Sequence, residues 1–137
     1  MKLNIDIKLR NEISELRTLA SGLETFAEQA ELAPKVAYNL SLCLDELVTN
    51  IINYGYPKHE NGEIDINIKS DTDKITITIS DSGIEFNPLD RESPNVEAPL
   101  EERTVGGLGI FIVKKLCDSI TYRRSHGRNI LTLTMKI

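Results

Sequence analysis

The sequence predicts an α+β fold, a mixed, mostly antiparallel sheet covered by helices on one face. Three observations lead there. Five stretches alternate apolar and polar residues or are rich in β-branched ones, as half-buried strands require. Two longer stretches carry apolar residues at three- and four-residue steps, the spacing of an amphipathic helix. Adjacent strands are joined by short turns, which argues against a doubly wound parallel sheet. The predicted order is β-α-α-β-β-loop-α-β-β.

The first ten residues form a strand with Leu3, Ile5, Ile7 and Leu9 on one face and Lys2, Asn4, Asp6 and Lys8 on the other. Over residues 11–31 the period becomes helical through Ile13, Leu16, Leu19, Leu23, Phe26 and Ala30. Gly22 weakens this helix without ending it. Pro34 suits the first turn of a second helix, where its missing N–H costs little. That helix carries Ala37, Leu40, Leu44, Leu47, Val48 and Ile51, and is expected to end near residues 53–55. Residues 56–62 have loop composition. Ile64, Ile66 and Ile68, then Ile75, Ile77 and Ile79, mark two strands of a hairpin turning at Asp71-Thr-Asp73. Residues 84–105 hold Pro88, Pro94 and Pro99 and no sustained period, and a long irregular loop in a compact domain is usually functional. Residues 108–117 form a short apolar helix opened by glycines. Two strands, 119–125 and 129–137, close the chain around a His126-Gly-Arg turn.

At 137 residues the chain is expected to be one domain, 1–137, long enough to bury about two-thirds of its unfolded surface. Sixteen basic against 21 acidic residues give a net charge of -5, which argues against nonspecific nucleic-acid binding. No apolar run reaches the roughly 18–20 residues of a membrane span. The alternating N-terminus has no apolar signal core. Cys43 and Cys117 lie far apart without metal or redox spacing; they suit a reducing cytosol and read as inert core residues. The expected setting is cytoplasmic.

The glycines point to chemistry. Gly83, Gly106, Gly107 and Gly109 are half of the eight glycines, and all flank the irregular loop. Asp81-Ser-Gly83 follows a strand, and Gly106-Gly-Leu-Gly109 runs into a helix, where free N–H groups and the dipole favour a phosphate. Alone, such a cluster reads equally as turn glycines. On the second helix Glu46, Asn50 and Asn53 fall on one stripe, within roughly 60° of each other. The stripe is either a solvated face or a site in which Asn50 offers an oxygen to Mg²⁺ and Glu46 orients or deprotonates a hydroxyl.

Together these blocks resemble the GHKL ATPase superfamily, the Bergerat-fold family that includes gyrase and the histidine kinases. Glu46-x-x-x-Asn50 is similar to its N-box, Asp81-x-Gly83 to its first glycine box, and Gly106-Gly-Leu-Gly-Ile-Phe-Ile-Val113 to its second. Within it, the helix Asp45-Glu-Leu-Val-Thr-Asn-Ile-Ile-Asn-Tyr-Gly-Tyr-Pro57, the stretch Asp81-Ser-Gly-Ile-Glu-Phe-Asn-Pro-Leu89 and the tail Gly127-Arg-Asn-Ile-Leu-Thr-Leu-Thr134 resemble the anti-sigma factor serine/threonine kinases. The resemblance implies a Bergerat-type two-layer α/β sandwich with a nucleotide lid over about residues 87–105. It implies that Asp81 binds the adenine amino group, that Gly83 lets the base approach, and that Asn50 ligates Mg²⁺. Glu46 would be the general base. Gly106, Gly107, Leu108 and Gly109 would cradle the phosphates, with Thr49 and Asn53 as secondary nucleotide contacts. ATP and Mg²⁺ are the implied cofactors. The implied partners are a STAS-type anti-anti-sigma protein that is phosphorylated and a sigma factor that is held, with a homodimer expected and no contact with nucleic acid or membrane.

Glu85 departs from the family, whose first glycine box often has a second glycine there. No Gly-x4-Gly-Lys-Ser/Thr motif occurs, so a standard P-loop is excluded. His59 and His126 lack partner spacing for a metal or a triad, and Arg123, Arg124 and Arg128 read as a solvated strand edge. A nucleotide-binding module that sequesters a partner without transfer is the alternative, and Glu46 argues for the kinase, since binding alone needs no base. A detached histidine-kinase catalytic domain lacks its phospho-acceptor helix here, and a gyrase-like role lacks a transducer domain.

Overall fold

A computed structural model describes residues 2–56, 61–90 and 107–137. The elements follow the expected order. Strand β1 (Leu3–Arg10) leads through a 3₁₀ turn to helix α1 (Leu16–Gln29) and then α2 (Pro34–Asn50). Strands β2 (Glu63–Ser70) and β3 (Lys74–Asp81) follow, then helix α3 (Gly107–Leu116) and strands β4 (Ser119–Ser125) and β5 (Arg128–Lys136). The five strands form one sheet in the order β1-β2-β3-β5-β4. Every pairing is antiparallel.

The alternation written in the strands decides which face is covered. Ile64, Ile66 and Ile68 pair in register with Leu9, Ile7 and Ile5 on one side, and Ile66 and Ile68 pair with Ile79 and Ile77 on the other, so one face is a continuous apolar surface. Ile77 and Ile79 continue the rows to Leu133 and Leu131. The opposite face carries residues such as Thr76, Thr78 and Thr132 and stays partly open to solvent. Against the apolar face pack Leu19, Leu23 and Phe26 of α1, Leu40, Leu44, Leu47 and Val48 of α2, and Ile110 and Val113 of α3, all in one buried cluster with the sheet residues. Burying a side chain of this size contributes about 1.5–3 kcal/mol, so this row holds the layers together.

The turns are set by local chemistry. Asp71 Oδ1 accepts the N–H groups of Asp73 and Lys74 at 2.8 and 2.9 Å and fixes the β2–β3 hairpin. His126 and Gly127 both have positive φ, 52° and 75°, as a two-residue hairpin loop needs to match the strand twist. Two of the three C-terminal arginines are tied to the sheet: Arg128 Nη2 donates to Asp65 Oδ2 at 2.8 Å and to Ser80 Oγ at 3.1 Å. Arg124 Nη1 donates to the Gly83 carbonyl at 2.9 Å, so this edge is more than a solvated one. The second helix does not run straight to its end: after Asn50 it widens into a π turn, Ile51–Gly55. No helix among the described residues is long and apolar enough to cross a membrane. His59, Gly106 and most of the expected lid (residues 91–105 of about 87–105) lie outside the described residues.

Candidate functional site

Three elements converge at one end of the sheet: the last residue of β3, the end of α2, and the first turn of α3. Asp81 stands in the same alternation phase as Ile75, Ile77 and Ile79, so the strand carries its carboxylate into the core, where it is 3% exposed. A carboxylate there must be hydrogen-bonded. Its Oδ1 accepts Gly83 N–H at 2.9 Å and Asn129 Nδ2 at 3.0 Å. Asn129 faces Asp81 across the β3–β5 register and is itself buried.

Asn129 organises the strand exit. Its Nδ2 also donates to the Ile84 carbonyl at 2.7 Å, and its Oδ1 accepts the Tyr122 hydroxyl at 2.5 Å and Phe86 N–H at 3.2 Å. Burial, and then the charge of Glu85, push the Tyr122 phenol up, so it keeps the proton it donates. One amide thus fixes the path of residues 84–86, where Glu85 replaces the expected glycine. Gly83 lies directly on Gly55: Ile84 N–H donates to the Gly55 carbonyl at 2.8 Å. A Cβ on Gly83 would fall on that carbonyl, with its carbon 2.8 Å away. The glycine is required by this close approach between the two chain segments.

Asn50 closes α2 at 5% exposure, facing Asp81 and Asn129 across a pocket roofed by Phe86 and Pro88. Among the described residues its Nδ2 has no hydrogen-bond partner. Leaving a buried amide unpaired costs about 1–3 kcal/mol, which a ligand at that point would offset. The free volume is about 10 Å³, room for about one water, and Phe86 and Pro88 are among the residues that line it with Asp81.

Glu46 lies one turn before Asn50. Its carboxylate rests on the first turn of α3, against Gly109: a Cβ there would fall on Oε2 and lie 2.6 Å from Cδ. Burial, then the neighbouring Asp45 carboxylate, push the Glu46 carboxyl above its usual range. A raised carboxyl is a better proton acceptor near neutral pH. The first N–H groups of α3, from Gly107 onward, have no partner within the helix, as at any helix N-terminus.

The sequence stripe of Glu46, Asn50 and Asn53 therefore divides. Asn50 is buried and Asn53 is exposed, because the π turn after Asn50 advances less per residue than an α-helix. Thr49 is half-buried, and neither Thr49 nor Asn53 lines the pocket. Asp81, Gly83 and Asn50 do come together, and Glu46 meets Gly109. Asn129, Tyr122 and Gly55 were not singled out in the sequence. The available signal was Asn129 itself, a polar residue in phase with Leu131, Leu133 and Met135.

A family model described as the histidine kinase-like ATPase domain matches residues 9–135. The chain belongs to that family. Among relatives of this ATPase domain, the serine/threonine-protein kinase BtrW of Bordetella bronchiseptica is 26% identical over 127 residues, covering 90% of this chain and 89% of the relative. The serine-protein kinase RsbW of Oceanobacillus iheyensis is 31% identical over 97 residues, 68% of this chain and 61% of that protein. RsbW of Listeria monocytogenes is 24% identical, over 95% of this chain and 84% of that one. A crystal structure of the RsbU and RsbW domains of a Mycobacterium tuberculosis protein superposes with a TM-score of 0.66. It covers 97% of this chain and 32% of that one, and at 15% identity the likeness is one of fold.

Proposed function

We propose that this chain is an ATP-dependent serine/threonine protein kinase that works by partner switching, phosphorylating a STAS-type anti-anti-sigma protein and holding a sigma factor when that protein is not available. Membership in the ATPase family and the likeness to serine kinases of matching length support the enzyme class. The observation that carries the site is the unpaired buried amide of Asn50, set between Asp81 and the α2–α3 contact where Glu46 sits.

The donor set fits a magnesium nucleotide. Asp81 uses Oδ1 internally and offers Oδ2 to an adenine amino group. Asn50 offers the spare end of its amide, whose oxygen and nitrogen exchange by a flip, to Mg²⁺ on the phosphates. Mg²⁺ bound there would neutralise phosphate charge, the main demand of phosphoryl transfer. Gly107 and Gly109 present backbone N–H groups at the start of α3, with Gly106 and Leu108 expected beside them. Glu46 takes the proton of the attacking serine or threonine hydroxyl as its oxygen bonds to the γ-phosphorus and the bond to the β–γ bridging oxygen breaks, releasing ADP. Phe86 and Pro88 move aside to admit the base. Residues 1–137 act as one catalytic domain, as a cytoplasmic homodimer without nucleic-acid or membrane contacts.

Calorimetric titration of ATP and ADP, with and without Mg²⁺, against wild type and Asn50→Ala tests the site. Mg²⁺-dependent binding lost in the variant is expected. Phosphate transfer to a STAS protein, absent in Glu46→Ala, tests the activity. Binding without transfer in the wild type would instead assign a nucleotide-dependent sequestering module.

A further inference from the structure

The two cysteines, 74 residues apart in sequence, meet in the fold: Cys43 Sγ and Cys117 Sγ are 3.8 Å apart. Cys43 lies on α2 and is fully buried; Cys117 follows the last turn of α3 and is half-buried. They join the same helix pair as the Glu46–Gly109 contact. Cys43 precedes Glu46 by three residues on one face of α2, and Cys117 follows Gly109 by eight, about 12 Å along the α3 direction. Closing the sulfurs to the 2.05 Å of a disulfide takes about 1.8 Å of approach, within reach of side-chain rotation and slight helix adjustment.

We propose that Cys43 and Cys117 are a hydroperoxide-responsive dithiol whose oxidation to an intramolecular disulfide ties α2 to the C-terminal end of α3. The Cys117 thiolate attacks one peroxide oxygen. The O–O bond breaks, the other oxygen leaves and takes up a proton as water or an alcohol, and Cys117 becomes a sulfenic acid. The Cys43 sulfur then attacks the Cys117 sulfur: the S–S bond forms, the S–O bond breaks, and hydroxide leaves with the Cys43 proton as water. The two sulfurs give up two electrons and the peroxide accepts them. The assignment of roles follows exposure, since Cys117 is the less buried residue of the two. It agrees with the electrostatics: the Cys43 hydrogen bond holds the Cys117 thiol below its usual range despite burial and the Asp118 charge, while the same contact and burial push Cys43 up. The inference stands on this geometry and not on the kinase reading.

The test is to treat the reduced full chain with hydrogen peroxide and follow intact mass, alkylatable thiols and a non-reducing peptide map. Wild type is expected to lose two hydrogen atoms and both free thiols, to yield a peptide pair joining Cys43 to Cys117, and to revert with dithiothreitol. Amides of α3 should exchange with solvent more slowly in the oxidised form, by tenfold or more for Ile110 to Val113. Cys43→Ala should stop at a sulfenic acid on Cys117, trapped by a cyclic dione, and Cys117→Ser should be inert to the same dose. Retention of both thiols, addition of oxygen without a cross-link, a disulfide between two chains, or unchanged α3 exchange in the cross-linked form would each overturn the proposal. The wild-type measurements decide it even where a variant folds poorly.

Discussion

Gly109→Ala separates the role of Glu46 from the stability of the fold. The added Cβ would lie 2.6 Å from Glu46 Cδ, and ordinary contact begins at 3.4 Å, so the carboxylate must retreat by at least about 0.8 Å. The obstacle is the far end of a flexible side chain, so the fold yields cheaply. Alanine gains about 0.5–1 kcal/mol over glycine in a helix, and an off-rotamer glutamate costs about 0.5–1.5 kcal/mol. The two nearly cancel, and the urea midpoint should move little. The alanine keeps the backbone N–H, so ATP affinity should hold. Proton transfer from the acceptor hydroxyl should not: a misplacement of about 1 Å costs about 10²-fold, some 2.7 kcal/mol of barrier. Steady-state transfer to a STAS protein, beside calorimetry and urea denaturation, checks all three numbers. A Gly109→Ala protein with wild-type kcat, or one that loses more than about 3 kcal/mol of stability, would refute the placement of Glu46 as base on α3.

The other expectations use the same contacts. Gly83→Ala meets the backbone of Gly55, which cannot swing away, and should cost about 2–3 kcal/mol in urea denaturation, well above Gly109→Ala. Asn129→Asp sets a second buried carboxylate opposite Asp81, which raises the folded pKa of the pair above its unfolded value. Such a variant is least stable at high pH and recovers as pH falls through the raised value, so denaturation at pH 8 and pH 5 should differ more than in wild type. Glu46 also has a raised folded pKa, so its ionised form opposes folding above that pKa and ceases to do so as pH falls through it. Glu46→Gln should therefore be more stable than wild type at neutral pH, with the difference vanishing in acid. In the transfer assay the rising limb of kcat against pH should lie above the ordinary glutamate range, and Asp45→Asn should move it down.

Most of the fold was legible because its signals are local. The isoleucines of β2 and β3 alternate cleanly, and the Asp71 and His126-Gly127 turns carry their own chemistry, so strands and hairpins follow from short windows. Glu46, Asn50, Asp81 and Gly83 stood out because a polar residue or a glycine stands where the local pattern asks for something else, and the structure brings Asn50 and Asp81 to one pocket and Glu46 against Gly109. Asn53 leaves the stripe expected from regular helical periodicity, and the π turn that moves it leaves no clear trace in composition. Asn129 was passed over because a strand of its length tolerates one polar end residue, and its meaning depends on a partner 48 positions earlier. The cysteine pair was invisible for the same reason: each residue fits an apolar helical pattern as a small side chain, although Cys117 lies just past α3, and only the packing of α2 on α3 brings the sulfurs together.

The π turn is the device that makes the site possible. A helix that continued regularly past Asn50 would carry Gly55 onward along the α2 axis. The wider turn instead ends the helix at the sheet, with the Gly55 carbonyl beside the exit of β3 to accept Ile84 N–H. That bond sets Gly83 against Gly55 and aligns the Gly83 N–H on Asp81. Asn50, the last residue before the widening, is thereby buried next to Asp81 and left with an unpaired amide. Each feature alone is costly: a poorer helix, a glycine with no side chain to pack, a buried polar atom without a partner. Their coincidence at one end of the sheet is what the proposed nucleotide site would require, since a ligand there would offset the unpaired amide.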